Sequence, residues 1–214
     1  RLTAAPNDIL AIGVNPILEA GRALEAAAAP GAYNITYISG TQILTENFFD
    51  YKVIYVPSTS ANVSGGISQA NVDLLAQRKL DMQDYINNGG SHLALTCAVS
   101  PTPYAWLELP LPFEITDFTS GGITYPLRKT PEGIAAGLTI TDAELSNGVP
   151  YHNDFVGPPG LNNLQVFVKD TGNDRVVGNS DDRNITIGLA SGSLGIGVTP
   201  PTDVDWDGIV LDSF

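Results

Sequence analysis

The uninterrupted apolar run Ile9-Leu10-Ala11-Ile12-Gly13-Val14 constrains this chain most. A strand with one face in water alternates polar and apolar residues. A short run without that alternation reads as a strand covered on both faces. Coverage on both faces arises where strands alternate with helices, and the residues that follow supply the helix. Asn15 is placed to cap a helix N-terminus with Pro16 at its first position. Ile17, Gly21, Leu24 and Ala28 then fall on one face, and Pro30-Gly31 ends the helix.

The alternation continues. Residues 33–39 read as a second strand and 51–56 as a third, followed by Pro57 and a Ser/Thr-rich loop running to Gly66. Residues 68–88 then read as one long helix. Val72, Leu75, Met82 and Ile86 recur on one face, Gln69, Asp73, Gln77, Arg78, Asp81 and Asp84 supply polar positions, and Gly89-Gly90 is the stop. Residues 92–96 form the next strand. Helical crossovers between strands build a parallel sheet with helices on both faces, so the expected class is α/β, a flavodoxin-like, doubly wound, mostly parallel sheet. The second half is less regular. Pro101, Pro103, Pro110 and Pro112 break up a segment containing Trp106, and residues 113–118, 164–169 and 185–190 read as further strands, expected as irregular or antiparallel additions. No internal repeat or long linker divides the chain, so residues 1–214 are expected to form one domain.

The formal charge of −13 argues against nucleic acid and anionic lipid as partners. No apolar run approaches the roughly 18 to 20 residues of a membrane helix, so insertion into a membrane is not expected. A chain that begins at Arg1 and holds one methionine, Met82, is expected to be a processed piece of a larger protein. Protein partners, or the rest of that larger chain, follow as the expected contacts, and the sequence names no small-molecule ligand. The acidic, lysine-poor, Asn/Thr/Ser/Gly-rich composition favours an extracellular or cell-surface location and leaves a cytoplasmic one open.

The single cysteine, Cys97, stands at the tip of the 92–96 strand. In an open α/β sheet that is the carboxyl edge, where ligands and nucleophiles collect. A thiol becomes a nucleophile beside a helix N-terminus, a cation or a paired histidine. His92 cannot be that partner: five residues away on the same strand, it lies about 16 Å off and faces the other side. The second histidine, His152, occurs in Pro150-Tyr151-His152-Asn153-Asp154, so Cys97, His152 and Asp154 are the candidate nucleophile, base and orienting carboxylate.

The order of these elements, with Tyr85-Ile86-Asn87-Asn88-Gly89-Gly90, the strand that follows and Cys97 at its tip, resembles the class I glutamine amidotransferase-like superfamily. The trehalose-utilisation-type and related branches are the most similar, and Gly133-Ile134-Ala135-Ala136-Gly137-Leu138-Thr139 resembles a segment those branches place before a polar loop. Working members hold the cysteine in a Gly-x-Cys-x-Gly turn, where small neighbours permit a strained backbone. Here Leu95 and Val99 occupy the glycine positions, and Thr96 and Ala98 flank the thiol. A His-Pro-Glu run follows a late strand in working members, whereas Ala190-Ser191-Gly192-Ser193 stands here. The resemblance with these departures implies a non-catalytic module, a pseudoenzyme serving as a binding or structural unit. The alternative is a thiol-dependent hydrolase or amidotransferase-like enzyme with Cys97 as nucleophile.

Asp203, Asp205 and Asp207, followed by Gly208, have the spacing of the first half of a calcium loop. Phe214 stands where the closing carboxylate belongs, so Asp212 would be recruited in its place. Calcium is the one cofactor the sequence raises. Gly192-Ser193-Leu194-Gly195-Ile196-Gly197 lacks the Lys-Ser/Thr of a phosphate loop, and the turn after Ile12 lacks a dinucleotide fingerprint.

Overall fold

The computed structural model describes residues 8–28, 31–95, 101–102, 104–107, 114–116, 126–146, 154–156, 165–171, 184–189 and 209–212, with the backbone alone described for 114–116, 154–156, 170, 184–189 and 209–212. The first half is the expected α/β unit. Strands β1 (Asp8–Ile12), β2 (Asn34–Ile38), β3 (Val53–Val56) and β4 (Ser91–Leu95) are parallel in the order β2-β1-β3-β4, with Ile9 level with both Ile35 and Val53, and Ile54 level with His92. Strand β10 (Ile209–Asp212) extends this set, pairing parallel to β4 with Ile209 opposite His92. The resulting order, 2-1-3-4 and then β10, is that of a flavodoxin-like sheet.

Helices cover both faces. Helix α1 (Glu19–Ala27) packs over Ile9, Ala11 and Tyr55 through Ala20 and the half-buried Leu24. On the other face Leu10, Ile12, Ile54 and Val56 meet Val72, Leu75, Met82 and Ile86 from α2 (Gln69–Ala76) and α3 (Lys79–Asn87), with Trp106 in the same cluster. The sequence therefore alternates its apolar side chains between two cores, which is why β1 shows no polar position after Asp8.

Two expectations are corrected. Residues 68–88 form two helices rather than one. The break at Gln77 and Arg78 lets the Arg78 guanidinium donate to the carbonyls of Ile43 at 2.7 Å and Glu46 at 3.0 Å, lie 4.3 Å from the centre of the Phe48 ring and pair with Asp81. Helix α1 starts at Glu19, with Leu18 as its cap, instead of at Pro16. Asn15 spends its side chain on the amide of Ile17, which is left 70% exposed, and the carbonyl of Ser64 accepts from the Ala20 amide in place of a side-chain cap.

The stop after α3 has a defined packing. Gly89 holds φ +92, and a Cβ on Gly90 would lie 2.3 Å from the Tyr85 ring, so the chain passes flat across that ring into β4. The Tyr85 hydroxyl lies 2.8 Å from the Lys52 carbonyl and 3.1 Å from that of Ser91, tying the helix end to the starts of β3 and β4.

The second half carries the antiparallel additions. Strand β9 (Asn184–Leu189) lies antiparallel to β10, to β7 (Asp154–Val156) and to β8 (Gln165–Asp170), while β5 (Glu114–Thr116) pairs with β7 and β6 (Leu127–Lys129) with β8. Two short helices, α4 (Pro131–Ala135) and α5 (Asp142–Leu145), sit beside β6 and β8. The Thr130 hydroxyl caps α4 by accepting from Gly133, and Thr141 with Glu144 forms a capping box on α5. Gly133 must be glycine, because a Cβ there would lie 2.3 Å from the Phe167 carbonyl oxygen. No helix among the described residues is long and apolar enough to cross a membrane.

Candidate functional site

In an open parallel sheet the ligand crevice lies at the carboxyl ends of the strands, where the strand order reverses. Here that point is between β1 and β3, since β2 and β3 flank β1 on opposite sides. The loop after β3 fills it. Residues 58–67 close on themselves through the Ser60 amide to the Ile67 carbonyl at 2.8 Å and the Ile67 amide to the Ser58 carbonyl at 3.0 Å. The closed loop then lies on the segment after β1, where the Gly65 carbonyl accepts from Asn15 at 2.9 Å and the Ser64 carbonyl accepts from Ala20 at 3.0 Å. The N-terminus of α1, which could otherwise hold an anion, thus spends the Ala20 amide on the chain itself. Ile67 is fully buried against Gly13, where an added Cβ would come within 2.5 Å of its Cγ1.

The carboxyl edge continues at β4. Leu95 is its last residue, and the chain is next described at residues 101 and 102, where the Thr102 hydroxyl accepts from the Gln69 side-chain amide at 2.8 Å. Gln69 is the first residue of α2, which Ser68 caps. The segment containing Cys97 therefore leaves from the tip of β4 and returns to the N-terminus of α2. It then turns at Tyr104, whose φ of +57 is unusual for a bulky residue, and drops Trp106 into the core. The rings of Tyr104 and Trp106 are 5.7 Å apart.

Trp106 meets His92 there. Its indole Nε1–H donates to Nε2 of His92 at 3.1 Å, so that nitrogen carries no proton and Nδ1–H donates to the Ile54 carbonyl, also at 3.1 Å. Burial pushes the imidazole pKa down to about 4. His92 is a neutral structural group with both nitrogens engaged, in keeping with its exclusion as a base.

Cys97 and His152 lie outside the described residues, as do Asp203, Asp205 and Asp207. Asp154 opens β7, three ladders from β4 through β10 and β9, which is about 14 Å at the usual strand spacing. A triad using Asp154 needs His152 to span that interval. Asp212 ends β10 opposite Leu95, so it stands at the same carboxyl edge as the strand that leads to Cys97. Three residues of extended chain carry it about 10 Å along the sheet from Ile209. Among the described residues no group of three or more His, Cys, Asp or Glu is placed to hold a metal ion.

The crevice-filling loop was legible only as a Ser/Thr-rich connection. Its signal is Gly65-Gly66 before Ile67: Gly65 holds φ +83, and a Cβ on Gly66 would lie 2.1 Å from the Ser58 carbonyl oxygen, so the backbone approach that closes the loop requires glycine. No family model, curated protein or solved structure matches the chain.

Proposed function

We propose that this chain is a non-catalytic, amidotransferase-like α/β module that serves as a binding or structural unit of an exported or surface protein. The observation that carries the proposal is the filled crevice between β1 and β3. Where sheets of this order hold a ligand, residues 58–67 pack against Gly13, Asn15 and Ala20. The sequence around the thiol adds support: Leu95 and Val99 replace the glycines that a strained nucleophile turn uses, and residues 190–193 hold no general base.

A second reading rests on the Thr102 to Gln69 bond, which returns the Cys97 segment to the N-terminus of α2. A thiolate close to that end would be favoured by the helix dipole. In this reading the Cys97 thiol gives its proton to His152 and attacks the carbonyl of an amide or ester, the amine or alcohol leaves with that proton, water hydrolyses the resulting thioester, and Asp154 orients the imidazole.

Alkylation by iodoacetamide separates the two. The module reading expects native Cys97 to react no faster than the unfolded thiol between about pH 5 and 9. Faster reaction in the native protein near neutral pH, lost in His152→Ala, would overturn it in favour of the thiol enzyme.

A further inference from the structure

We propose that β2 is a self-association edge, through which two copies of this chain pair antiparallel about Thr36 and continue one sheet across a twofold axis. The starting observation is an undefended edge. Among the described residues β2 pairs with β1 alone, and Asn34, Ile35, Thr36, Tyr37 and Ile38 include no proline and no charge. Soluble proteins guard open edges with charges, prolines, bulges or a covering element, because an unpaired row of N–H and C=O groups is a template for another strand.

Beside this edge runs a groove of about 540 Å³, lined by Arg22, Glu25, Tyr33, Ile35 and Tyr37 among others and by no residue of β1. It therefore faces outward, between α1 and the free margin of β2. Tyr33, Ile35 and Tyr37 alternate along the strand and share its α1 side. Exposure agrees: Tyr33 is 44% exposed.

A second copy fits this edge because the strand is self-complementary. Antiparallel pairing centred on Thr36 sets each Thr36 against its mate and each Ile35 against the other copy's Tyr37, giving the threonine pairs and aromatic to β-branched pairs favoured across strands. Every contact off the axis then occurs twice, and the Thr36 pair lies on the axis, as twofold symmetry requires. The same axis leaves both α1 helices on one face of the joined sheet. Arg22 makes no ion pair among the described residues and would meet the other copy's Glu25. Glu25 accepts from the Tyr37 hydroxyl through Oε1 only, which leaves Oε2 for that contact. The charge of −13 on each copy opposes the approach at low ionic strength, so association strengthens as salt rises to physiological levels.

Sedimentation velocity over a concentration series tests this. The expected result is a species of twice the 22.6 kDa chain mass that grows with concentration. Thr36→Lys sets two like charges directly opposite and should leave monomer throughout. Arg22→Glu and Glu25→Arg, each alone, should weaken association at least about tenfold, and mixing the two variants should restore it, because only the mixed pair has opposite charges at both contacts. Monomer at every concentration and salt level overturns the proposal, including the case in which β2 captures only a foreign strand. So does a dimer unchanged in the charge variants, whose exposed substitutions leave the fold to be checked by circular dichroism. The outcome is independent of whether Cys97 reacts, since β2 lies at the end of the sheet away from the antiparallel additions.

Discussion

Trp106 donates to His92 across 3.1 Å, and that bond decides which imidazole nitrogen carries the proton. With Nδ1–H committed to the Ile54 carbonyl, a second proton on Nε2 would set donor against donor inside a closed core. The folded protein therefore holds His92 neutral, with its pKa down at about 4 against an ordinary value of 6.5.

The sign of the pH dependence follows. Below about pH 6.5 the unfolded chain takes up a proton that the folded chain refuses, so stability falls as pH drops, until the folded form also protonates near pH 4. The loss across that window is on the order of 3 kcal/mol. Denaturant unfolding from pH 7 to pH 4 should show it, and His92→Gln, which can still accept from Trp106 and donate to Ile54, should remove most of the slope. Equal slopes in the two proteins would mean that other groups carry the effect.

Trp106→Phe should cost about 2 to 4 kcal/mol, since it removes core volume and leaves Nε2 of His92 without its donor. The same variant should raise the pKa of His92, observable as a shifted imidazole resonance in an NMR titration.

Gly13 and Ile67 define how tightly the crevice is closed. Gly13→Ala places a side chain at φ +71 and within 2.5 Å of Ile67, with an expected loss of about 2 to 4 kcal/mol. Ile67→Ala should cost a similar amount by leaving a cavity. The double variant should be more stable than the sum of the two by about 1 kcal/mol, because the smaller residue makes room for the new methyl. Strict additivity in thermal or chemical unfolding would show that the two positions do not press on one another.

Arg78→Lys should destabilise the protein by about 1 to 3 kcal/mol despite keeping the charge. A lysine cannot reach both the Ile43 and Glu46 carbonyls while stacking on Phe48. Midpoints of urea unfolding would report this, and a value within experimental scatter of the parent would make the contacts dispensable.

Calcium should raise the melting temperature by less than about 1 °C at millimolar concentration, because Phe214 stands where the closing carboxylate of a calcium loop begun at Asp203 belongs. A larger shift, abolished in Asp205→Asn, would establish a calcium site there.

Local pattern carried much of the fold. The apolar run from Ile9 announced a strand covered on both faces, and the period of Val72, Leu75, Met82 and Ile86 announced a helical face. The same period hid the break between α2 and α3, since its cause is Arg78 reaching carbonyls more than thirty residues earlier in the chain. Asn15 and Pro16 carried a helix-start signal that the loop from the far side of β3 overrode. The place of β10 between β4 and β9 depends on pairings that no local pattern encodes. The candidate site was less legible. Sequence named Cys97, His152 and Asp154, of which only the Asp154 backbone is described, while the crevice was filled by a loop whose signal was Gly65-Gly66.

The position of β10 has a consequence for how the molecule is made. Strand β4 has β3 on one side and β10 on the other, and β10 is synthesised after every other described strand. Until it emerges from the ribosome, one margin of β4 stays open and the parallel and antiparallel parts have no strand between them. Such late, long-range closure is slow and exposes nascent chains to aggregation. Among the described strands the slow event in folding should be the capture of β10, which makes chaperone dependence during synthesis a property of the topology rather than of overall stability.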